Sequence, residues 1–258
     1  MSLMNAQDVW KQFRIPHERR GAVVSRLNNL LSIFSERRYS YEEFWALKQV
    51  SFRLEHGESL GIIGPNGSGK STLLKLLARV MKPDRGEIET VGSVVPILEL
   101  GIGFQPDLTV KENATIYGII MGLRRSEMRT RINSILDFAD LTRFQDAKLK
   151  NLSSGMQVRL GFAIAVQTEA DVFLIDEALS VGDMEFQLKC LDKFREFKKA
   201  GKSIVLVSHG MELINDFCEK TLYLKDGTAE VFGPSHEATA RYIADMKGTV
   251  ATPSVSLV

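Results

Sequence analysis

Three short apolar runs stand out along the chain, and each ends in polar residues. Residues 60–63 (LGII) lead into GPNGSGKS, residues 172–175 (VFLI) into Asp176 and Glu177, and residues 203–207 (SIVLV) into Ser208 and His209. Runs this short and continuous, without alternating polar positions, are those of strands buried on both faces. After the first run, residues 72–79 set Leu73, Leu76 and Leu77 along one side of a helix. The order predicts an α/β fold, a mostly parallel sheet with helices on both faces. Ligands of such sheets gather at the carboxyl ends of the strands, where all three polar endings fall.

From about 105 to 167 the texture changes. Helical periodicity replaces the apolar runs, with charged turns such as 124–131, so this stretch reads as an inserted helical subdomain. A further helix starts near 235 and carries Tyr242 and Ile243. The residues after Lys247 lack periodicity and read as a loose tail. No internal repeat is visible.

Composition narrows the class. The chain is 44% hydrophobic and 25% charged, with a formal net charge of +1, which argues against a dedicated nucleic-acid binder. Cys190 and Cys218 lack metal-ligand or redox spacing and read as small apolar fillers. No stretch approaches the roughly 18 continuous apolar residues of a membrane span. Asp8, Lys11 and Arg14 are followed by no apolar segment of a secretory signal. A cytoplasmic protein is expected, with any membrane role supplied through a partner.

The strongest chemical signal is residues 64–71, which fit G-x-x-x-x-G-K-[ST] between a strand and a helix. Gly64, Pro65, Asn66, Gly67, Ser68 and Gly69 would turn backbone N–H groups onto phosphates, and the helix through Thr72 aims its positive end there. Lys70 would bridge the β- and γ-phosphates, and Ser71 would hold Mg²⁺. Asp176 and Glu177 could be an ordinary solvated strand end. Beside a phosphate loop, Asp176 fits the Mg²⁺-linked carboxylate and Glu177 the group that orients and polarises attacking water. His209 could hydrogen-bond the γ-phosphate.

Many phosphate-loop proteins share those parts. The segment LSSGMQVRLGFAIA, from Leu152, resembles the ABC signature, with Ser153, Ser154 and Gly155 on its small-residue positions. Ser153 also suits a plain helix cap, and Met156, Leu160, Ala163 and Ile164 would bury the helix. The resemblance implies that this signature covers ATP held by another copy, so the working unit is a homodimer closed by MgATP. Asp183, in SVGD, falls on the position that links the two active sites. Phe13 matches the aromatic that stacks on adenine, although it also suits the core of a first strand.

LELGIGF, LTVKEN, SSGM, DEALSVGD and VSHGM further resemble the polysaccharide-export branch of ABC ATPases, which moves lipid-linked O-antigen, capsule or teichoic-acid chains. The resemblance implies an ATPase at the cytoplasmic face of the inner membrane, peripheral to an integral channel subunit, acting on a lipid-linked glycan and not on nucleic acid. Importers and drug exporters are the nearer alternatives, and soluble cassettes acting on DNA or ribosomes the remoter. Two departures stand out. The usual metal-sensing glutamine is replaced near Glu99, with Gln105 as the alternative, and no appended carbohydrate-binding domain is expected. Domains are expected at 1–235, with a loop insertion at about 16–44, and at 236–258. Arg19, Arg20, Arg26, Arg37 and Arg38, with Tyr39 and Tyr41, lie in that insertion. They suit either a solvated loop or contact with lipid phosphates.

Overall fold

The structure is a computed structural model that describes residues 2–17, 40–98, 100–176 and 183–250. Its centre is a six-stranded sheet in the order β5-β6-β7-β3-β8-β9. Strands β3 (Ser59–Ile63), β5 (Val94–Ile97), β6 (Val172–Asp176), β7 (Ser203–Val207) and β8 (Lys220–Lys225) run parallel, and β9 (Thr228–Pro234) closes one edge antiparallel. The three apolar runs are thus β3, β6 and β7.

Their side chains alternate between two cores. Leu60, Ile62, Val172, Leu174, Val205 and Val207 face one, with Leu73, Leu74, Leu76 and Leu77 of α1 (Lys70–Leu77). Phe173, Ile175, Ile204 and Leu206 face the other. There they meet Phe162 of α4 (Ser154–Ala165), Phe186 and Phe194 of α5 (Met184–Lys199), and Phe217 of α6 (Met211–Phe217). Burial on both faces is why these strands carry no polar alternation.

A second, antiparallel sheet covers the α1 side, in the order β2-β1-β4, from β1 (Ser2–His17), β2 (Ser40–Glu55) and β4 (Arg85–Thr90). Its pairing runs out to His17 opposite Ser40. Residues 16–17 and 40–44, expected within an inserted loop, are therefore strand. Arg19, Arg20, Arg26, Arg37, Arg38 and Tyr39 lie outside the described residues.

The helical part is α2 (Val110–Ile120), α3 (Arg125–Phe138) and α4. The LTVKEN segment starts α2 with a capping box. Thr109 Oγ1 accepts from Glu112 N at 3.2 Å, and the Glu112 carboxylate accepts from Thr109 N at 2.8 Å. Leu160, Ala163 and Ile164 of α4 join Val110, Met128 and Ile135 in a separate core. The last helix, α7 (Ser235–Val250), runs past Lys247, where the sequence suggested a tail, because residues 248–250 continue its turns. Among the described residues no helix is long and apolar enough to cross a membrane. Burial pushes the thiols of Cys190 and Cys218 up to about 12, as suits inert core residues.

Candidate functional site

The loop from β3 into α1 has its conformation enforced by the surrounding chain. Gly64 sits at φ 150°, and a Cβ there would lie 2.1 Å from the Leu224 carbonyl oxygen. Gly69 caps α1 at φ 104°, with a would-be Cβ 2.6 Å from the Ala46 oxygen. Only glycine fits either place. No side chain caps α1 and no acidic residue enters its first turn, so its N-terminal N–H groups face outward for an anion. Lys70, only 7% exposed, donates to the Gly64 and Pro65 carbonyls at 2.8 and 2.9 Å. The buried Ser68 hydroxyl has no hydrogen-bond partner among the described residues. Buried polar groups are seldom left so, which fits a loop shaped around a ligand.

This loop opens into a cleft of about 320 Å³ lined by Phe44, Ala46, Asn66, Gly67, Gly69, Lys70, Ser71 and Thr72. Its aromatic wall is Phe44, which sequence reasoning missed. Phe13 pairs with Phe44 across the β1–β2 ladder, and their rings stack with centroids 5.7 Å apart and planes 25° apart. Phe13 therefore backs the ring that lines the cleft. Antiparallel register alone could have flagged Phe44, but the long intervening segment hides that register in the sequence.

Asp176 ends β6 opposite Val207 of β7, and β7 in turn pairs with β3 through Val207 and Ile62. Asp176 thus stands two strands from the phosphate loop, roughly 10 Å at ordinary strand spacing. Ser208 and the exposed His209 follow on the strand between them. By the alternation of β6, Asp176 follows Val172 and Leu174 on the α1 face of the sheet, and Ser71 is exposed at the start of α1. Glu177 and Glu99 lie outside the described residues. Gln105 does not line the loop's cleft. Its backbone is clamped by Asn113, whose Oδ1 accepts from Gln105 N at 2.6 Å and whose Nδ2 donates to Gln105 O at 2.9 Å. Asn113, 2% exposed, is thus the anchor of the 101–108 loop.

The signature residues lie elsewhere. Ser153 caps α4, accepting from Met156 N at 3.2 Å, which leaves its O–H as a donor. Ser153, Gly155, Arg143 and Arg159 line a second cleft of about 290 Å³ that shares no residue with the first. A Cβ on Gly155 would meet nothing closer than the Ser153 hydroxyl at 4.0 Å, so packing within the chain does not demand glycine there. Asp183 caps α5 by accepting from Phe186 N at 3.0 Å, and it pairs with Arg159. The Phe186 N–H first, then the Arg159 guanidinium, holds the Asp183 carboxyl below its ordinary value. One chain therefore offers a phosphate loop and a separate, outward-facing small-residue helix start.

Comparison with known proteins places the chain in a family. The model of the family described as ABC transporter matches residues 47–180. The O-antigen export system ATP-binding protein RfbB of Myxococcus xanthus is 37% identical over 98% of this chain and 59% of its own length. RfbB of Klebsiella pneumoniae is 40% identical over 78% of this chain and 81% of its own. The teichoic acids export ATP-binding protein TagH of Bacillus cereus is 43% identical over 79% of this chain but 37% of its own. The chain thus spans less than two thirds of the Myxococcus relative and little more than a third of the Bacillus one. Among solved structures, a dimeric post-hydrolysis ATP-binding cassette bound to ADP and Pi superposes with TM-score 0.70. It is 25% identical, over 90% of this chain and 98% of that one.

Proposed function

This chain belongs to the ABC transporter family as an ATP-binding subunit, and we propose that it hydrolyses MgATP as a homodimer to drive export of a polysaccharide or lipid-linked glycan. The observation that carries the reading is the separation of the two clefts. The phosphate loop and the signature of one chain line no common cleft, so a second copy is needed to bring a signature onto a bound nucleotide.

The residues present fit the nucleotide and its metal. Gly64 and Gly69 shape a backbone cradle, the α1 N-terminus offers donors, and Lys70 is already poised between loop carbonyls for the β- and γ-phosphates. Ser71 and Asp176 would hold Mg²⁺, which would supply charge to neutralise the phosphates. Glu177 takes the role of orienting water and accepting its proton, and His209 that of a γ-phosphate contact. Ser153, Ser154 and Gly155 serve the other copy's ATP. Glu99, or Gln105 as the alternative, senses the metal.

The export reading rests on relatives named for O-antigen and teichoic acids export and on the segments of that branch in this sequence. It implies an integral channel partner and a peripheral place on the cytoplasmic face of the membrane. The Glu177→Gln protein tests the core of this reading. Phosphate release is expected to fall on the order of a hundredfold or more, as for loss of a general base. Light scattering with MgATP should show a dimer, and adding Ser153→Arg should return the monomer. A double variant that dimerises as well as the single one would remove the trans arrangement.

A further inference from the structure

The outward face of α2 is not that of a solvated helix. Val110, Asn113, Ala114, Tyr117 and Gly118 are buried on its inner side, and a surface helix places polar residues opposite such a stripe. The outward positions of its last two turns instead carry Ile116, Ile119 and Ile120, exposed by 41, 41 and 65%. Beside them α2 and α3 enclose a groove of about 330 Å³, lined by Lys111, Thr115, Arg125, Met128, Arg129 and Ile132. The two helices come close at Gly118, where a Cβ would meet Met128 Sδ at 2.3 Å, so the buried Met128 and Ile132 lie at the base of the groove.

The charges lining this groove all have one sign. Lys111, Arg125 and Arg129 are exposed, and among the described residues no carboxylate pairs with any of them. The acids nearest in sequence are turned elsewhere. Glu112 and Glu127 accept from the backbone N–H groups of Thr109 and Arg124 at 2.8 and 2.6 Å, capping their own helices. Arg125 and Arg129 stand four residues apart on α3, a spacing at which like charges destabilise a helix. Arg131, two residues on, is by contrast paired with Glu169. Folding alone gives no reason to gather three cations over an apolar base and beside exposed isoleucines. An anion carried on an apolar body does.

We propose that this face of α2 and α3 rests on the membrane surface, with Lys111, Arg125 and Arg129 around the phosphate of an anionic phospholipid and Ile116, Ile119 and Ile120 entering the interface. The groove has the volume of a small-ligand site, which suits one headgroup better than a protein segment. Cations and isoleucines side by side match the two chemistries that a lipid surface presents, phosphate and acyl chain. The inference rests on the peripheral membrane placement proposed above and deepens it. The chain then has its own hold on the lipid, in addition to any hold supplied by a channel subunit.

The test is co-sedimentation of the purified full-length chain with vesicles, in saturating MgADP so that the phosphate loop is filled. Vesicles of phosphatidylcholine mixed with phosphatidylglycerol should retain the chain, and pure phosphatidylcholine should retain far less. Arg129→Gln or Lys111→Gln should each weaken retention by about fivefold, and Arg125→Gln combined with Arg129→Gln by roughly twentyfold to thirtyfold. The thermal midpoint of the double variant should hold or rise, because a like-charge pair is relieved. Its phosphate release without vesicles should match wild type. Lys199→Gln, at the far end of α5, should leave retention unchanged. Ile120→Ser should weaken binding to both kinds of vesicle alike, since what it removes is apolar. Equal retention by pure phosphatidylcholine would overturn the inference, as would a loss from Lys199→Gln equal to that from Arg129→Gln. So would inorganic pyrophosphate held through Arg125 and Arg129 as tightly as the anionic vesicles, which would make the groove a site for a soluble anion. Retention of neither vesicle, with the groove covered only by an acidic protein, would give it to that protein instead. The two readings fail separately: a chain that hydrolyses MgATP but ignores vesicles loses only this inference, and one that binds vesicles without hydrolysis loses only the function proposed above.

Discussion

Lys70 and Ser153 both stand at the start of a helix and both offer donors to an anion, yet the chain surrounds them differently. Lys70 is buried, and its ammonium is held by two carbonyls of its own loop. The glycines beside it are required by carbonyl oxygens that leave no room for a Cβ. Ser153 is exposed, and the space over Gly155 is open. The loop at α1 is completed by the rest of its own fold, from Ala46 on one side to Leu224 on the other. The start of α4 instead faces a cleft whose other wall is residues 139–144, and no backbone oxygen presses on its glycine. At the first place the fold itself demands glycine; at the second the fold leaves room for a larger residue.

The largest expected effect breaks the first region. Lys70→Ala removes a buried charge that meets both loop carbonyls and the phosphates. Nucleotide binding should weaken by about 2–5 kcal/mol, the range for truncating one side of a buried charged pair. Titration with a fluorescent ATP analogue measures it. Binding within error of wild type would mean that the loop's backbone carries the anion alone.

The two regions separate most cleanly through one substitution made in each. Gly64→Ala forces a Cβ to within 2.1 Å of a backbone oxygen at φ 150°, and should cost about 2–3 kcal/mol of stability. Gly155→Ala adds a methyl group in open space in the first turn of α4, where alanine favours the helix by up to about 1 kcal/mol. Its melting temperature should hold or rise, while MgATP-driven dimerisation and turnover fall. Thermal unfolding and phosphate release on the same preparations give both numbers. A Gly155→Ala protein with full turnover would show that nothing approaches this glycine closely, and the contrast between the regions would lose its meaning.

What could be read from the sequence follows the same division. The phosphate loop and the three buried strands depend on residues close together in the chain, and the structure shows them as an α/β fold with β3, β6 and β7 side by side. The antiparallel sheet was not legible. Its longest pairing joins residues on either side of a long segment, and the ladder is broken by register shifts near Val9 and Lys11, with Asp8 and Gln49 at positive φ. Phe44 and Arg159 were hidden for a related reason. Each acquires its place from a partner distant in sequence, Phe13 or Asp183, and no local pattern marks it. Asn113 sits inside the LTVKEN segment, but only the fold shows its amide clamping the 101–108 loop.

The smallest expected effect concerns the aromatic wall of the first cleft, and it sharpens what that region recognises. Phe44 is 43% exposed and lines the cleft beside Lys70 and Thr72, whereas Phe13 stacks behind it. An adenine ring laid on Phe44 would extend the stack already formed by the two rings, worth about 0.5–1.5 kcal/mol beyond the area buried. Phe44→Ala should therefore weaken ATP by roughly threefold to tenfold on that scale, and should leave inorganic tripolyphosphate, which has no base, unaffected. Phe13→Ala should weaken ATP less, because it removes the support and leaves the platform. Competition of both ligands against a fluorescent nucleotide separates the base from the phosphates in one experiment. If Phe13→Ala proves the more damaging, the base rests on the β1 aromatic that the sequence singled out, and Phe44 is its backing. If both variants weaken tripolyphosphate as much as ATP, the rings shape the loop and hold no base at all.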